Sequence, residues 1–417
     1  MFDLCSNRLL ECEEKFAGRN GHRFVEIWDC GDDRQPVYRS GELKEKEIAG
    51  WVNEDRSANG PIRSGLRVLL SPKPSGKPSS GKLPFSRPTF HSLSEAWRIP
   101  STFLRAVTQN LSIVTQCSVA RHPSYWRYSS QDSIWPQDES KERRRSRISD
   151  AARCLLVRGD VDWTWDYTLL LTLDPESHTT YALIVGLTAT EIDLVYSYLT
   201  SSSQLSSTPT SAFQRSQCVP PTHPLLLPLI LLDLATDDTS SLLKLRIKLL
   251  SQIQQQTGMD RFNSLKSATV DGRKSIGRSM SRERGEVRKE LDLDACMLRL
   301  TCLSDWVAAQ RGFVGIQGRV AEVVSSMLKE SMNSGAGGGW CRGLGAHEWK
   351  GSRGDSGEGE AVIWLFQEMF QERLEFVKES LLAAELKCVY LERSIGAQVQ
   401  TVTPPSYPFG SFYANAL

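Results

Sequence analysis

The stretch Ala361–Val402, AVIWLFQEMFQERLEFVKESLLAAELKCVYLERSIGAQVQTV, decides half of the fold. Its apolar positions run Phe366, Phe370, Leu374, Val377, Leu381, Ala384, Cys388, Leu391, Ile395, Val399 and Val402. Every step is three or four residues, which keeps them on one stripe of a helix. At ~1.5 Å per residue such a helix is ~60 Å long, more than a compact domain needs and suited to a bundle, stalk or coiled coil. Thr403, Pro404 and Pro405 stop it. A stripe this long on one isolated chain leaves an apolar patch, so the pattern predicts self-association or a partner.

Working outward, two more segments carry helical periodicity, His223 to Thr257 and Glu286 to Met332. The first half of the chain differs. Arg23–Trp28, Leu66–Leu70, Leu111–Val119, Ser124–Tyr128, Ala152–Val157, Tyr167–Leu173 and Thr180–Gly186 are short apolar runs with strand character. The last two flank Asp174, Pro175 and Glu176, a turn sequence, and read as a hairpin. Thr188 followed by Glu191 is a capping box that opens a helix through Leu199. Leu93–Val107 reads as a helix that Pro100 must break or restart. The fold class expected is therefore α+β: an N-terminal mixed sheet with helices, then long C-terminal helices.

Five polar, Ser-, Gly- or Pro-rich stretches interrupt these elements: 71–88, 136–147, 201–221, 264–288 and 334–359. They cannot bury enough apolar surface to offset their ordering entropy. The organisation expected is an N-terminal segment 1–90, an α/β domain 91–200, a Ser-rich linker 201–222, a long-helix region 223–402 with insertions at 264–288 and 334–359, and a Pro-rich tail 403–417.

Composition narrows the function. Fifty basic residues stand against 49 acidic ones, a formal net charge of +1, so there is no global attraction to nucleic acid or anionic lipid. The ten cysteines are scattered without C-x-x-C and read as free thiols of a reducing, cytoplasmic compartment, with no zinc-ligand spacing. No signal peptide opens the chain. The most apolar run, Leu225–Ala235, contains Pro228 and Asp233 and is about half the ~20 residues needed to cross a bilayer.

Enzymatic motifs are missing. Gly335–Gly345 is Gly-rich but carries no G-x-x-x-x-G-K-[ST], and reads as a flexible insertion. There is no G-x-S-x-G. Six histidines, at 22, 91, 122, 178, 223 and 347, lie far apart. Catalytic, metal and cofactor-binding site residues are therefore all assigned as none, and the chain is read as a non-enzyme. The basic clusters Arg143–Arg147 and Arg273–Lys289 lack interleaved aromatics for stacking bases, and Ser146, Ser275 and Ser279 beside them have the setting of kinase targets. Trp163, Trp165 and Trp364 are read as packing residues rather than a ligand surface. Glu368, Glu372, Glu375 and Glu379 step at three or four residues and make an acidic helix face. Such a face is either solvated or, between subunits, a cation site.

Two segments go further than periodicity: His223-Pro-Leu-Leu-Leu-Pro228 with the helix after it, and Leu386-Lys-Cys-Val-Tyr-Leu-Glu-Arg-Ser-Ile-Gly-Ala-Gln-Val-Gln-Thr-Val402. With the strand pair Tyr167–Gly186 and the segment Leu93–Val107, they resemble the cytosolic region of the CorA-like magnesium transporter family in its diverged fungal branch. The resemblance covers roughly residues 90–402, and its motifs are apolar and structural. It implies an α/β/α domain with a mixed sheet, long helices after it, and assembly as a pentamer around a pore. In the family the last long helix continues into two transmembrane helices, with Gly-Met-Asn at the pore mouth. Here Thr-Pro-Pro-Ser-Tyr-Pro follows Val402, and Gly-Met-Asn is absent. No selectivity residue carries over, and a chain without a span cannot line a path through hydrocarbon. A shortened reading frame, a splice form and a soluble paralogue all fit that departure; a full-length form carrying the missing helices would be membrane-associated. The expected role is regulatory or oligomer-forming. Mg²⁺ is the candidate regulatory ion, the partners are a second copy or full-length transporter subunits, and no nucleic acid is involved. The alternative is a helical scaffold that binds a partner protein through 361–402.

Overall fold

The computed structural model describes residues 4–29, 37–54, 64–73, 81–119, 152–159, 164–174, 177–204, 223–257, 292–333 and 356–402. The elements in chain order are α1 (Leu4–Glu11), β1 (His22–Asp29), β2 (Val37–Leu43), α2 (Glu45–Val52), β3 (Ser64–Pro72), α3 (Arg87–Trp97), α4 (Ser101–Thr108), β4 (Ile113–Val119), β5 (Ala152–Arg158), β6 (Thr168–Asp174), β7 (Thr179–Leu187), α5 (Ala189–Gln204), α6 (Leu226–Gln256), α7 (Leu293–Asn333) and α8 (Ser356–Val402). The fold is α+β: a mixed sheet at the N-terminal end of the chain, then long helices. The chain divides into two compact units, Met1–Ala235 with Ile316–Lys378, and Thr236–Gly315 with Glu379–Leu417.

The first unit is built on a seven-stranded sheet of order β2-β1-β3-β7-β6-β5-β4. Only β3 and β7 are parallel neighbours; the other pairs are antiparallel. Strands β3, β6 and β7 are buried along nearly their whole length, which explains their near-continuous apolar sequences, such as Leu169-Leu170-Leu171. One face carries Phe24, Leu69, Leu156, Leu170 and Leu183, packed against Trp51, Phe90, Leu93, Trp97, Phe103 and Leu104 of α2, α3 and α4. The other face carries Val25, Val68, Leu155, Leu171 and Ile184, all buried. Helix α5 reaches β1, β3 and β7, and the Arg23 guanidinium lies 5.3 Å from the Tyr196 ring centre. An ion pair is buried inside the sheet: Arg67 Nε donates to Glu26 Oε1 at 2.9 Å, and its other nitrogens donate to the carbonyls of Trp51 and Val52. The pair thus satisfies the last carbonyls of α2 and fixes that helix on the sheet.

Several expectations need correction. Residues 22–72 supply three strands to the same sheet as residues 113–187, so the division expected at residue 90 runs through one sheet. The expected linker 71–88 loses both ends: Ser71 and Pro72 close β3, and Arg87-Pro88 open α3, where Ser86 caps the helix and proline occupies the first turn. The expected helix Leu93–Val107 is two helices. Arg98, at φ 51°, ends α3, and Pro100 caps α4. The insertion expected to reach residue 359 yields to α8 at Ser356. The strand expected at Ser124–Tyr128 lies outside the described residues.

The second unit is a three-helix core. Leu243, Leu250 and Ile253 of α6, Leu300, Leu303, Val307 and Phe313 of α7, and Leu381, Ala384, Cys388, Leu391 and Ile395 of α8 are buried. Polar ties link its helices. Thr257 Oγ1 bonds Gln398 Oε1 at 3.0 Å, Gln310 Nε2 donates to Thr239 Oγ1 at 3.3 Å, and Arg311 pairs with Glu392 at 3.1 Å. The Arg246 guanidinium stacks over Trp306, 4.4 Å from its ring centre. The α8 stripe is therefore not an open patch. Phe370, Leu374 and Val377 in the first unit, and Leu381 to Ile395 in the second, are buried within the chain itself. The expectation that this stripe seeks a partner is corrected: α6 and α7 supply apolar faces of their own.

Candidate functional site

In the first unit the C-terminal ends of β3, β5 and β7 meet at one edge of the sheet, because β3 and β5 both run parallel to β7. A shallow cleft opens there, lined among others by Lys73, Lys82, Asn110, Arg158, Asp166 and Gly186. Lys73 follows β3 and is fixed by its own N–H, which donates to the Leu187 carbonyl at 2.8 Å. Its ammonium donates to Asp166 Oδ2 at 3.0 Å. Arg158 ends β5, donating to Thr168 Oγ1 at 2.7 Å and to Asn110 Oδ1 at 2.8 Å. Asp166 Oδ1 lies 3.8 Å from the Arg158 guanidinium, and this buried oxygen accepts no hydrogen bond among the described residues.

The position of Asp166 traces to local sequence. Trp165 stands at φ 62° in the turn before β6, and its N–H donates to Glu191 Oε1 at 2.9 Å. The other oxygen of Glu191 accepts the Thr188 N–H at 2.7 Å. The capping box read from Thr188 and Glu191 therefore starts α5 and also clamps the turn that presents Asp166. Gly186 has φ +102°, and a Cβ there would meet the Asp166 carbonyl at 2.7 Å, so the close approach of β7 to that turn requires glycine. Lys73, Lys82 and Arg158 line the cleft with one carboxylate, and Lys73 and Arg158 lie beside Asp166. The donors suit an anionic group, and the open oxygen of Asp166 suits a hydroxyl next to it.

Of the lining residues, Lys73, Lys82, Asn110, Arg158 and Asp166 were not singled out by the sequence. Lys73 and Asp166 are 93 positions apart and meet only through the sheet register. The sequence candidates fall elsewhere. His22 is buried, stacked on Phe85 at 5.2 Å and bonded to Ser71 Oγ and the Arg19 carbonyl. Burial holds its pKa below the ordinary value. His223 is buried against Phe370, its Nδ1 accepts the Leu225 N–H at 3.2 Å, and burial lowers its pKa to about 3. His91 is exposed beside Glu95, and His178 sits in the turn before β7. His122 and His347 lie outside the described residues, as do Arg143–Arg147, Arg273–Lys289, Ser146, Ser275, Ser279, Gly335–Gly345 and Trp163. Trp165 is buried in the turn before β6.

Glu368, Glu372, Glu375 and Glu379 are exposed along α8. Glu375 pairs with Lys378 at 2.9 Å. Among the described residues, no group of three or more His, Cys, Asp or Glu side chains converges to hold a metal ion, and no helix is long and apolar enough to cross a membrane. No family model matches the chain, and no curated protein matches it.

Proposed function

We propose that the chain is a cytosolic, regulatory or oligomer-forming part of a CorA-like magnesium-transport assembly and does not itself conduct ions. One observation carries this reading: a seven-stranded mixed sheet with helices on both faces is followed by helices of 31, 41 and 47 residues. That is the order of parts that the resemblance implies.

Self-association in this reading uses the outer side of α8, because the inner stripe is occupied. In the second unit Leu382, Leu386 and Tyr390 stand 51%, 62% and 47% exposed. In the first unit Glu368, Glu372 and Glu375 are exposed on the same helix. Carboxylates that do not converge within one chain can do so between copies, where a divalent cation would offset their repulsion. The alternative, a scaffold for a different protein, would use the same outer side.

Sedimentation velocity of the full chain, with and without millimolar MgCl₂, tests the proposal. The expected result is an assembly larger than a monomer whose size or stability changes with Mg²⁺, and which Leu386→Glu with Tyr390→Glu returns to monomer at unchanged helicity. A monomer at tens of micromolar that ignores Mg²⁺ would overturn it and favour the scaffold.

A further inference from the structure

Strand β4 forms the edge of the sheet, and its register on β5 sets Cys117 directly opposite Cys154. Both are free thiols. Directly opposed residues of an antiparallel pair point to the same face, with Cα atoms about 4.5–5.5 Å apart. That interval lies inside the roughly 4.4–6.8 Å that a disulfide spans. The two residues differ in access. Cys117 is half-buried on the edge strand; Cys154 is fully buried in the core, its Sγ 3.5 Å from Thr172 Oγ1.

We infer that Cys117 and Cys154 form a redox modification site, closing to a cross-strand disulfide by exchange with a low-molecular-weight disulfide. The steps balance. The Cys117 thiolate attacks one sulfur of the external disulfide and displaces one thiolate, leaving a mixed disulfide at Cys117. Cys154 then loses its proton to a released thiolate and attacks Cys117 Sγ, displacing the second thiolate. Two protein thiols are oxidised, and one external disulfide is reduced to two thiols.

The division of roles follows from the surroundings. A hydrogen bond from the Cys154 thiol holds the Cys117 pKa below its ordinary value against the opposing effect of burial, while that bond and burial push the Cys154 thiol up. The accessible cysteine is thus the better nucleophile, and the buried one waits to resolve the adduct. Other described cysteines lack this arrangement: Cys302 is exposed on α7, and Cys388 is buried on α8.

The test uses the full folded chain, incubated in glutathione disulfide, alkylated and mapped by tandem mass spectrometry. The expected result is a peptide cross-linked through Cys117 and Cys154, both losing alkylation together, and reopened by excess reduced glutathione. Cys154→Ser is expected to stop at a glutathione adduct on Cys117, and Cys117→Ser to leave Cys154 unmodified. The inference is overturned if both cysteines alkylate fully after treatment of wild-type protein, or if Cys154→Ser takes up no glutathione at Cys117.

Discussion

His223 shows how much one residue can reveal about its unit. It precedes α6, accepts the Leu225 N–H at its Nδ1, and is buried against Phe370. Its pKa falls from 6.5 to about 3, the cost of placing an imidazolium in an apolar site. The folded state therefore keeps the ring neutral where the unfolded chain protonates it. Between pH ~6.5 and ~3 the unfolded state binds more protons, so stability is full above that window and is lost as pH falls through it, by at most about 1.4 kcal/mol per pH unit. Urea unfolding of wild type and His223→Leu should show stability curves that diverge on acidification, the wild type falling faster. Parallel curves would mean that the ring is protonated in the folded state. Carboxylates common to both proteins cancel in the difference. In the sequence, this histidine was visible as part of His223-Pro-Leu-Leu-Leu-Pro228, but not its burial, because Phe370 lies far along the chain.

At the scale of elements, periodicity carried the reading where one face is buried, and failed where little is. The α8 stripe was legible residue by residue, since each buried position recurs at three or four. What it packs against was not, because that depends on how α6 and α7 return beside it. β2 was invisible: Val37-Tyr-Arg-Ser-Gly-Glu-Leu43 is an edge strand, exposed along most of its length, so it has no apolar alternation to read. The start of α3 was hidden because Arg87 and Pro88 end the Pro-, Ser- and Gly-rich stretch 71–88, although proline is at home in a first turn. The two sides of α8 separate cleanly in energy. Leu374, fully buried, should cost about 2–5 kcal/mol as Leu374→Ala. Leu386, 62% exposed, should stay within about 0.5 kcal/mol as Leu386→Ala in the monomer. Denaturant midpoints check both. Equal losses would mean that Leu386 is covered.

The sheet of the first unit inherits its stability gradient from strand order. Nothing in the local sequence announced that β3 would leave β1 and pair with β7, and that one parallel pairing is what makes a single sheet of segments far apart in the chain. It also forms the cleft, since parallel neighbours bring Lys73 and Gly186 to the same edge. β3, β6 and β7 have a strand on each side and buried faces, whereas β2 and β4 each have one strand neighbour and several exposed residues. Backbone hydrogen bonds open most rarely where neighbours on both sides must part together. Amide hydrogen exchange followed by mass spectrometry should therefore rank β3, β6 and β7 slowest, β1 and β5 next, and β2 and β4 fastest of the sheet. Exchange in β7 as fast as in β2 would contradict the parallel pairing. Oxidation at Cys117 and Cys154 adds an internal control, since a covalent tie to β5 should slow β4 and leave β2, at the opposite edge, unchanged.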